Sequence, residues 1–349
     1  MIQVFNSSDY IKIDGRRFDI LKIILAVFVV GIHTMPIIFW LRPLFRIAVP
    51  LFFMMSSYFF FLKQSKISDL QEKKKAHWLF VKRIVWLYLF WTLVLLPYII
   101  YSEEWCNFSL PTFLKVLKSF FISGFFPASW YLTSTVISVS VIYYFSKIFS
   151  NRVLLIGSML AYFFCCLTSN YLVLFEKLPL SVIIYKSYAF VLGKPCNSFL
   201  SAFLFVIFGK ILAENKFIIR NKWLVIIILA SFVSLFVEAE IIAYYRLNLS
   251  KVDYSDDCFF SLVPLCLSSF MLLGQNYIII PFKTLFLRFS STIIYCSHFT
   301  VSSILCSFVY SFQRGFLLFS VVLLISCSLC FLICSLEDNR LYTWLKYAH

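Results

Sequence analysis

Residues 316–335 read FLLFSVVLLISCSLCFLICS, twenty positions without a charged side chain. A helix of that length crosses the hydrocarbon core of a bilayer. Working outward, comparable apolar runs occupy 20–40, 44–62, 84–101, 130–149, 153–169, 198–212, 223–241, 258–274 and 290–310. The run at 198–212 is short, and 120–126 and 171–191 are apolar enough to be interfacial or re-entrant. The pattern predicts an all-α, polytopic integral membrane bundle of about ten transmembrane helices, forming a single domain over residues 1–349.

Composition agrees with that reading. Of 349 residues, 62% are apolar and 13% charged, and the mean hydropathy is +0.90. A water-facing globule needs about a quarter of its residues charged. The net charge of +15 raises the question of nucleic acid, but the basic residues sit at the ends of apolar runs, where they act as orientation signals rather than as a duplex-binding patch. No nucleic-acid partner is expected. With the N-terminus inside, predicted cytoplasmic segments hold twenty-one of the 31 basic residues, seven of them in the loop 63–83. Outer segments hold the other ten, so the asymmetry predicts N-in and C-in. The charges up to Lys22, followed by a full span without a small-residue cleavage site, predict a retained first helix rather than a signal peptide.

Polar groups at membrane depth are costly, and those tolerated face the bundle interior. Two fall in the first span. Lys22 lies at its cytoplasmic mouth and His33 near mid-membrane. Eleven residues separate them, about 1100° of helix rotation, so both project from one face roughly 16 Å apart. A cation at the mouth with an imidazole deeper on the same stripe suits a tunnel that takes a phosphorylated carrier from the cytosol. The competing account is a snorkelling lysine beside an unrelated packed histidine. Asp19 stands one turn before Lys22, where an acid suits a helix N-terminus. In the ninth span Tyr295 and His298 share a face at i and i+3, through interhelical hydrogen bonding or direct catalysis. Arg46 opens the second span as an interfacial anchor or a glycan-binding cation. Glu176, Glu238 and Glu240 are further acids with no tie to His33, and His77 and His349 read as surface residues.

Most of the eleven cysteines lie inside apolar runs, and Cys327 and Cys330, despite their spacing, read as helix packing. Cys106, Cys196 and Cys258 fall in predicted outer segments, where a disulfide is left open. No metal ligand set is expected. The chain carries no Walker loop, dinucleotide fingerprint, nucleophile elbow or His-Glu-x-x-His. A nucleotide-containing donor would therefore be held by Lys and Arg at helix mouths.

At these residues the chain resembles the acyltransferase 3 family, membrane O-acyltransferases that modify bacterial surface glycans. Arg17-Phe-Asp19-Ile-Leu-Lys22, then His33, is similar to the family's first-helix pattern. Arg46-Ile-Ala-Val-Pro50-Leu-Phe-Phe-Met-Met-Ser56-Ser57-Tyr58 is similar to its second-helix signature, and Lys82-Arg83 to the start of its third helix. Ser129-Trp130-Tyr131-Leu132, Phe208-Gly209-Lys210 and Tyr295-Cys-Ser-His298 follow in family order. Ser57 stands where the family usually has Gly, and Trp86 where a second Arg is common. The resemblance implies acyl transfer, usually of acetyl, from cytoplasmic acyl-CoA to a glycan hydroxyl, in the bacterial inner membrane and with no bound cofactor. It implies Lys22, Lys82 and Arg83 as acyl-CoA ligands and His33 as general base or acyl relay. Arg46, Trp130, Tyr295 and His298 are supporting positions. The competing function is a glycan or lipid-linked oligosaccharide transporter, in which buried cations line a pathway.

Overall fold

The structure is a computed structural model, and it describes residues 3–4, 15–36, 40–102, 110–215, 217–249, 257–275, 280–308, 313–337 and 340–349. Cys106 lies outside them. Fourteen α-helices make up almost all of the described chain. In order they are α1 (Arg16–Thr34), α2 (Arg42–Phe45), α3 (Ala48–Gln64), α4 (Leu70–Ser102) and α5 (Leu110–Lys118). There follow α6 (Trp130–Phe145), α7 (Asn151–Leu167), α8 (Leu172–Phe175), α9 (Pro179–Leu192) and α10 (Phe199–Glu214). The last are α11 (Asn221–Leu249), α12 (Leu262–Gln275), α13 (Leu285–Phe308) and α14 (Phe316–Glu337), with a final 3-10 segment, Arg340–Tyr347. Among the described residues one β pairing occurs, joining Gln3–Val4 to Phe217–Ile218.

Among the described residues, six helical stretches are long and apolar enough to cross a membrane: Arg42–Gln64, Leu70–Tyr101, Pro179–Glu214, Asn221–Arg246, Leu285–Ser307 and Phe316–Leu336. Three apolar helices are shorter, Trp130–Phe145, Asn151–Leu167 and Leu262–Gln275. Helix α1 begins with Arg16, Arg17, Asp19 and Lys22, so its apolar part alone falls short of a full span. Large apolar side chains point outward along α11 (Trp223, Leu229, Val233, Tyr244) and α14 (Phe316, Leu324, Phe331). A helix apolar on its outer face needs a non-aqueous solvent, and the chain is a membrane protein. The predicted short span at 198–212 gains length from α9. That stretch breaks at Gly193, whose φ of 86° ends α9 in a conformation that favours glycine.

The chain divides into two compact units, residues 1–14, 49–79 and 133–278 in one and residues 15–48, 80–132 and 279–349 in the other. In the first unit, α3 approaches α10 most closely at Gly209. A Cβ there would sit 2.6 Å from Met54 O and 2.9 Å from Tyr58 N, and would overlap Ser57 Oγ. The Ser57 hydroxyl faces Gly209 and turns its proton back to Phe53 O and Met54 O of its own helix. Small residues that let backbones approach are the usual means of helix association in lipid. Next to it, Lys210 Nζ donates to Asn151 Oδ1 and Glu214 Oε2, both at 2.7 Å, which neutralises a nearly fully buried cation. Glu238 of α11 accepts from the Tyr171 hydroxyl and from the backbone N–H groups of Phe260 and Ser261, ahead of α12. It thus fills the capping role that a helix N-terminus requires. Glu176 and Glu240 have no described tie to Glu238.

His77, expected at the surface, is buried. Helix α4 starts at Leu70, well before the apolar run predicted at 84, so its first turns have an inward face. The His77 ring stacks on Tyr143 at 4.6 Å and 7°, and its Nε2 lies 3.0 Å from Ser140 Oγ. His349 is half-buried, with its ring 3.7 Å from that of Phe289. Cys330 donates to Ser290 O, consistent with helix packing, and Cys165, Cys166 and Cys258 are buried free thiols.

Gly209→Ala is expected to destabilise the protein by about 1–3 kcal/mol, because two of the three obstructing atoms are backbone. Thermal unfolding of the purified protein checks this. The double variant Gly209→Ala/Ser57→Gly should remain destabilised, since it relieves the side-chain overlap alone.

Candidate functional site

Lys22, His33, Arg46, Lys82, Arg83, Trp130, Tyr295 and His298 all fall in the second unit. Its frame is helix α1 against α13. At the N-terminal end of α1, Asp19 is 1% exposed. Its carboxylate accepts from Arg288 Nε and Nη2 at 2.9 Å each, and from Thr284 Oγ1 at 2.8 Å. Lys22 Nζ is 3.8 Å from Asp19 Oδ1, and Arg16 Nη1 donates to Ile280 O. A two-pronged guanidinium–carboxylate contact sets the register of the helices as well as binding them. Farther along the same helices the His33 and His298 rings meet, with centroids 5.2 Å apart and planes at 37°. Phe299 stands edge-on to His33 at 5.0 Å. Beyond the histidines, Gly315 N–H donates to Thr34 O, so the segment before α14 closes over the end of α1. Both interhelical contacts run in the same chain order, and α1 and α13 are therefore parallel.

The two histidines differ in what holds them. His298 is fully buried, and its Nδ1 lies 3.1 Å from Ile294 O and 2.7 Å from Tyr295 O. His33 has no hydrogen-bond partner among the described residues. Its surroundings are cationic on one side, where Arg46, Arg42 and Arg314 exert their charge on the ring. Arg46 reaches this neighbourhood because α1 carries glycine at position 31. The Phe45 ring packs where a Cβ on Gly31 would be, 2.6 Å from its nearest carbon, and Phe28, Ile32 and Met35 complete that contact. At the other end of α1, Lys22 feels the charges of Asp19, Arg288 and Arg83. Lys82 is exposed and makes no described contact with them.

Tyr295 and Trp130 belong to one arrangement. The Tyr295 hydroxyl donates to Ala128 O at 2.7 Å, and its ring lies 5.3 Å from that of Tyr131. Ala128 has φ of 66°, and Gly124, at 89°, leaves no room for a side chain beside Trp130 N. Ser129 Oγ donates to Phe126 O and accepts from Phe126 N–H, and Tyr88 holds Phe120 O and Phe125 N. The turn that starts α6 at Trp130 is thus a built structure. The Tyr295 hydroxyl is held by this turn rather than by a residue within a neighbouring helix. Trp86, where the family often carries arginine, stacks on Tyr347 at 5.2 Å, and Trp91 Nε1 donates to Ala348 O. That face of α4 receives the C-terminal segment.

Reading residues alone missed Arg288 and Thr284 as partners of Asp19. The signal existed, because Asp19 and Arg288 stand just before the first and ninth predicted runs, on the same predicted side of the membrane. Among the described residues no group of three or more His, Cys, Asp or Glu is placed to hold a metal ion.

Asp19→Asn should cost about 2 kcal/mol, below the figure for a fully buried pair because Arg288 is partly exposed. The double variant Asp19→Asn/Arg288→Gln should regain part of the loss. Unfolding midpoints of the two single variants and the double variant measure the coupling.

The model of the family described as an acyltransferase domain, acyltransferase 3, matches residues 16–335. A curated relative is a serine/alanine racemase of Enterococcus gallinarum, 31% identical over 156 residues, which are 39% of this chain and 21% of the racemase. The chain therefore spans about a fifth of that protein's length. No solved structure matches. Because the family match runs from the first residue of α1 almost to the end of α14, enclosing both histidines and the Asp19 clamp, the chain belongs to the acyltransferase 3 family.

Proposed function

We propose that this protein is an O-acyltransferase of the bacterial inner membrane. It moves an acyl group, acetyl in the first instance, from cytoplasmic acyl-CoA to a sugar hydroxyl of a cell-surface or lipid-linked glycan. The observation that carries this reading is the contact of His33 with His298, inside the family match and on the same two helices as a cationic cluster. Lys22 of α1 and Arg288 of α13 supply that cluster, Arg83 adds its charge from α4, and Lys82 extends it at the exposed start of the span. Phosphates and the pyrophosphate of CoA are bound by such groups through charge-assisted hydrogen bonds. His33 acts on the transferred group as general base or acyl relay, and base assistance is typically worth about 10²–10⁴ in rate. Arg46 serves the acceptor side, and Tyr295 positions the turn before Trp130. The transporter alternative is not favoured, because the family is defined by acyl transfer. The racemase's activity is not carried over, since the match takes in a fifth of that protein.

Helix α1, the six long stretches and the three shorter apolar helices are read as ten spans of one membrane domain, N-in and C-in. The parallel course of α1 and α13 supports this, because the first and ninth of ten spans run the same way. It puts Lys22 and Arg83 on the cytoplasmic side, where acyl-CoA is found.

Three measurements test the proposal. Single cysteines at Ser68 and Asn215, in a background without other reactive thiols, should resist an impermeant reagent in intact cells, and one at Lys194 should react. Labelling at Ser68 would reverse the orientation. Lys22→Ala and Arg83→Ala should each raise KM for acetyl-CoA by about 10-fold or more, the worth of one charge-assisted bond, with smaller losses in kcat; Lys22→Arg should keep most activity. His33→Gln, at normal membrane level, should lose at least about 100-fold of glycan acylation. An active His33→Gln protein removes His33 from the chemistry.

A further inference from the structure

His298 offers more than its packing needs. A carbonyl oxygen only accepts, so the contacts of Nδ1 with Ile294 O and Tyr295 O put the N–H of the neutral ring on Nδ1. The lone pair is then on Nε2. Both carbonyls belong to the helix turn just before His298, so the turn itself holds the tautomer. Nε2 is buried and has no hydrogen-bond partner among the described residues. A buried acceptor left unmade is destabilising, and a native protein that keeps one has another use for it. The neighbouring ring is His33, also without a hydrogen-bond partner among the described residues. One basic nitrogen with a fixed tautomer therefore stands against a second, differently held imidazole.

We propose that His298 is a second catalytic residue, its Nε2 taking the proton of the acceptor hydroxyl while His33 carries the acyl group. This rests on the acyltransferase reading. In the first step a ring nitrogen of His33 attacks the thioester carbonyl. The C–N bond forms, the C–S bond breaks, and the CoA thiolate leaves with the proton that the acylated ring sheds. In the second step the acceptor oxygen attacks the acyl carbon, the C–O bond forms and the C–N bond breaks. The hydroxyl proton goes to His298 Nε2 and from there to the departing nitrogen of His33, so His298 is restored, and His33 is again a neutral imidazole whose proton shifts to its other nitrogen before the next turnover. The division explains why two imidazoles meet where one general base would need none beside it.

The experiment uses the full chain in detergent and acetyl-CoA alone, with water as acceptor, following thiol release. The unsubstituted protein should release about one thiol per chain rapidly, as an acyl-enzyme accumulates, before slower steady hydrolysis. His298→Asn keeps an N–H donor at the δ position for the two carbonyls and removes the ε nitrogen. It should retain the burst and lose about 100-fold or more in the steady phase. His33→Gln should lose both phases. Steady hydrolysis by His298→Asn within a few-fold of normal overturns the role of His298, as does loss of its burst in a protein present at normal level. Mass spectrometry of the unsubstituted protein, quenched during the burst, should find acetyl on the His33 peptide, and its absence there overturns the division without reference to any variant. No thiol release at all from the unsubstituted protein instead overturns acyl transfer itself.

Discussion

The contact between Asp19 and Arg288 is the constraint on which the second unit depends. A carboxylate that is almost wholly buried must be paired or it is not tolerated, and this one is answered by a guanidinium of α13 and by the hydroxyl of Thr284 just before that helix. Apolar faces alone would leave α1 free to slide or rotate on α13, because side chains and lipid tails are equally apolar. The polar clamp removes that freedom. With register set at one end, the histidines farther along meet, and the closure of Gly315 on Thr34 secures the other end.

The clamp also separates two kinds of polar group on α1. Asp19 is consumed by structure, since its oxygens have their partners on α13 and Lys22. His33 is not consumed in this way. The same contrast appears on α13, where the Tyr295 hydroxyl is spent on Ala128 O while His298 keeps one nitrogen unengaged. Groups with satisfied hydrogen bonds explain the architecture, and groups without them mark where chemistry is to be sought.

Much of the fold was legible because lipid imposes a simple demand, namely long apolar runs bounded by charge. The predicted runs coincide in order with helices of the structure, and the ambiguous stretch 171–191 proves helical. The misreadings arose where helices outran their apolar cores. The start of α4 looked like a polar loop, and His77 was accordingly misplaced. For the site, helical periodicity put Lys22 and His33 on one stripe of a helix that is indeed continuous over both. Periodicity within one helix says nothing about which other helix faces it. The meeting of His33 with His298 and the pairing of Asp19 with Arg288 join side chains hundreds of residues apart, and the approach of Arg46 depends on how Phe45 packs against Gly31.

Asp19 and Arg288 are 269 residues apart in the chain. During synthesis, α1 reaches the membrane long before its partner exists. Closing so long a loop is not prohibitive, because the entropic cost rises only with the logarithm of length. The difficulty is instead one of waiting. The acid has to be sheltered from hydrocarbon until α13 has been made, and until then Lys22, one turn away, is the cation at hand. The seating of α1 is thus decided only once a helix made much later has arrived.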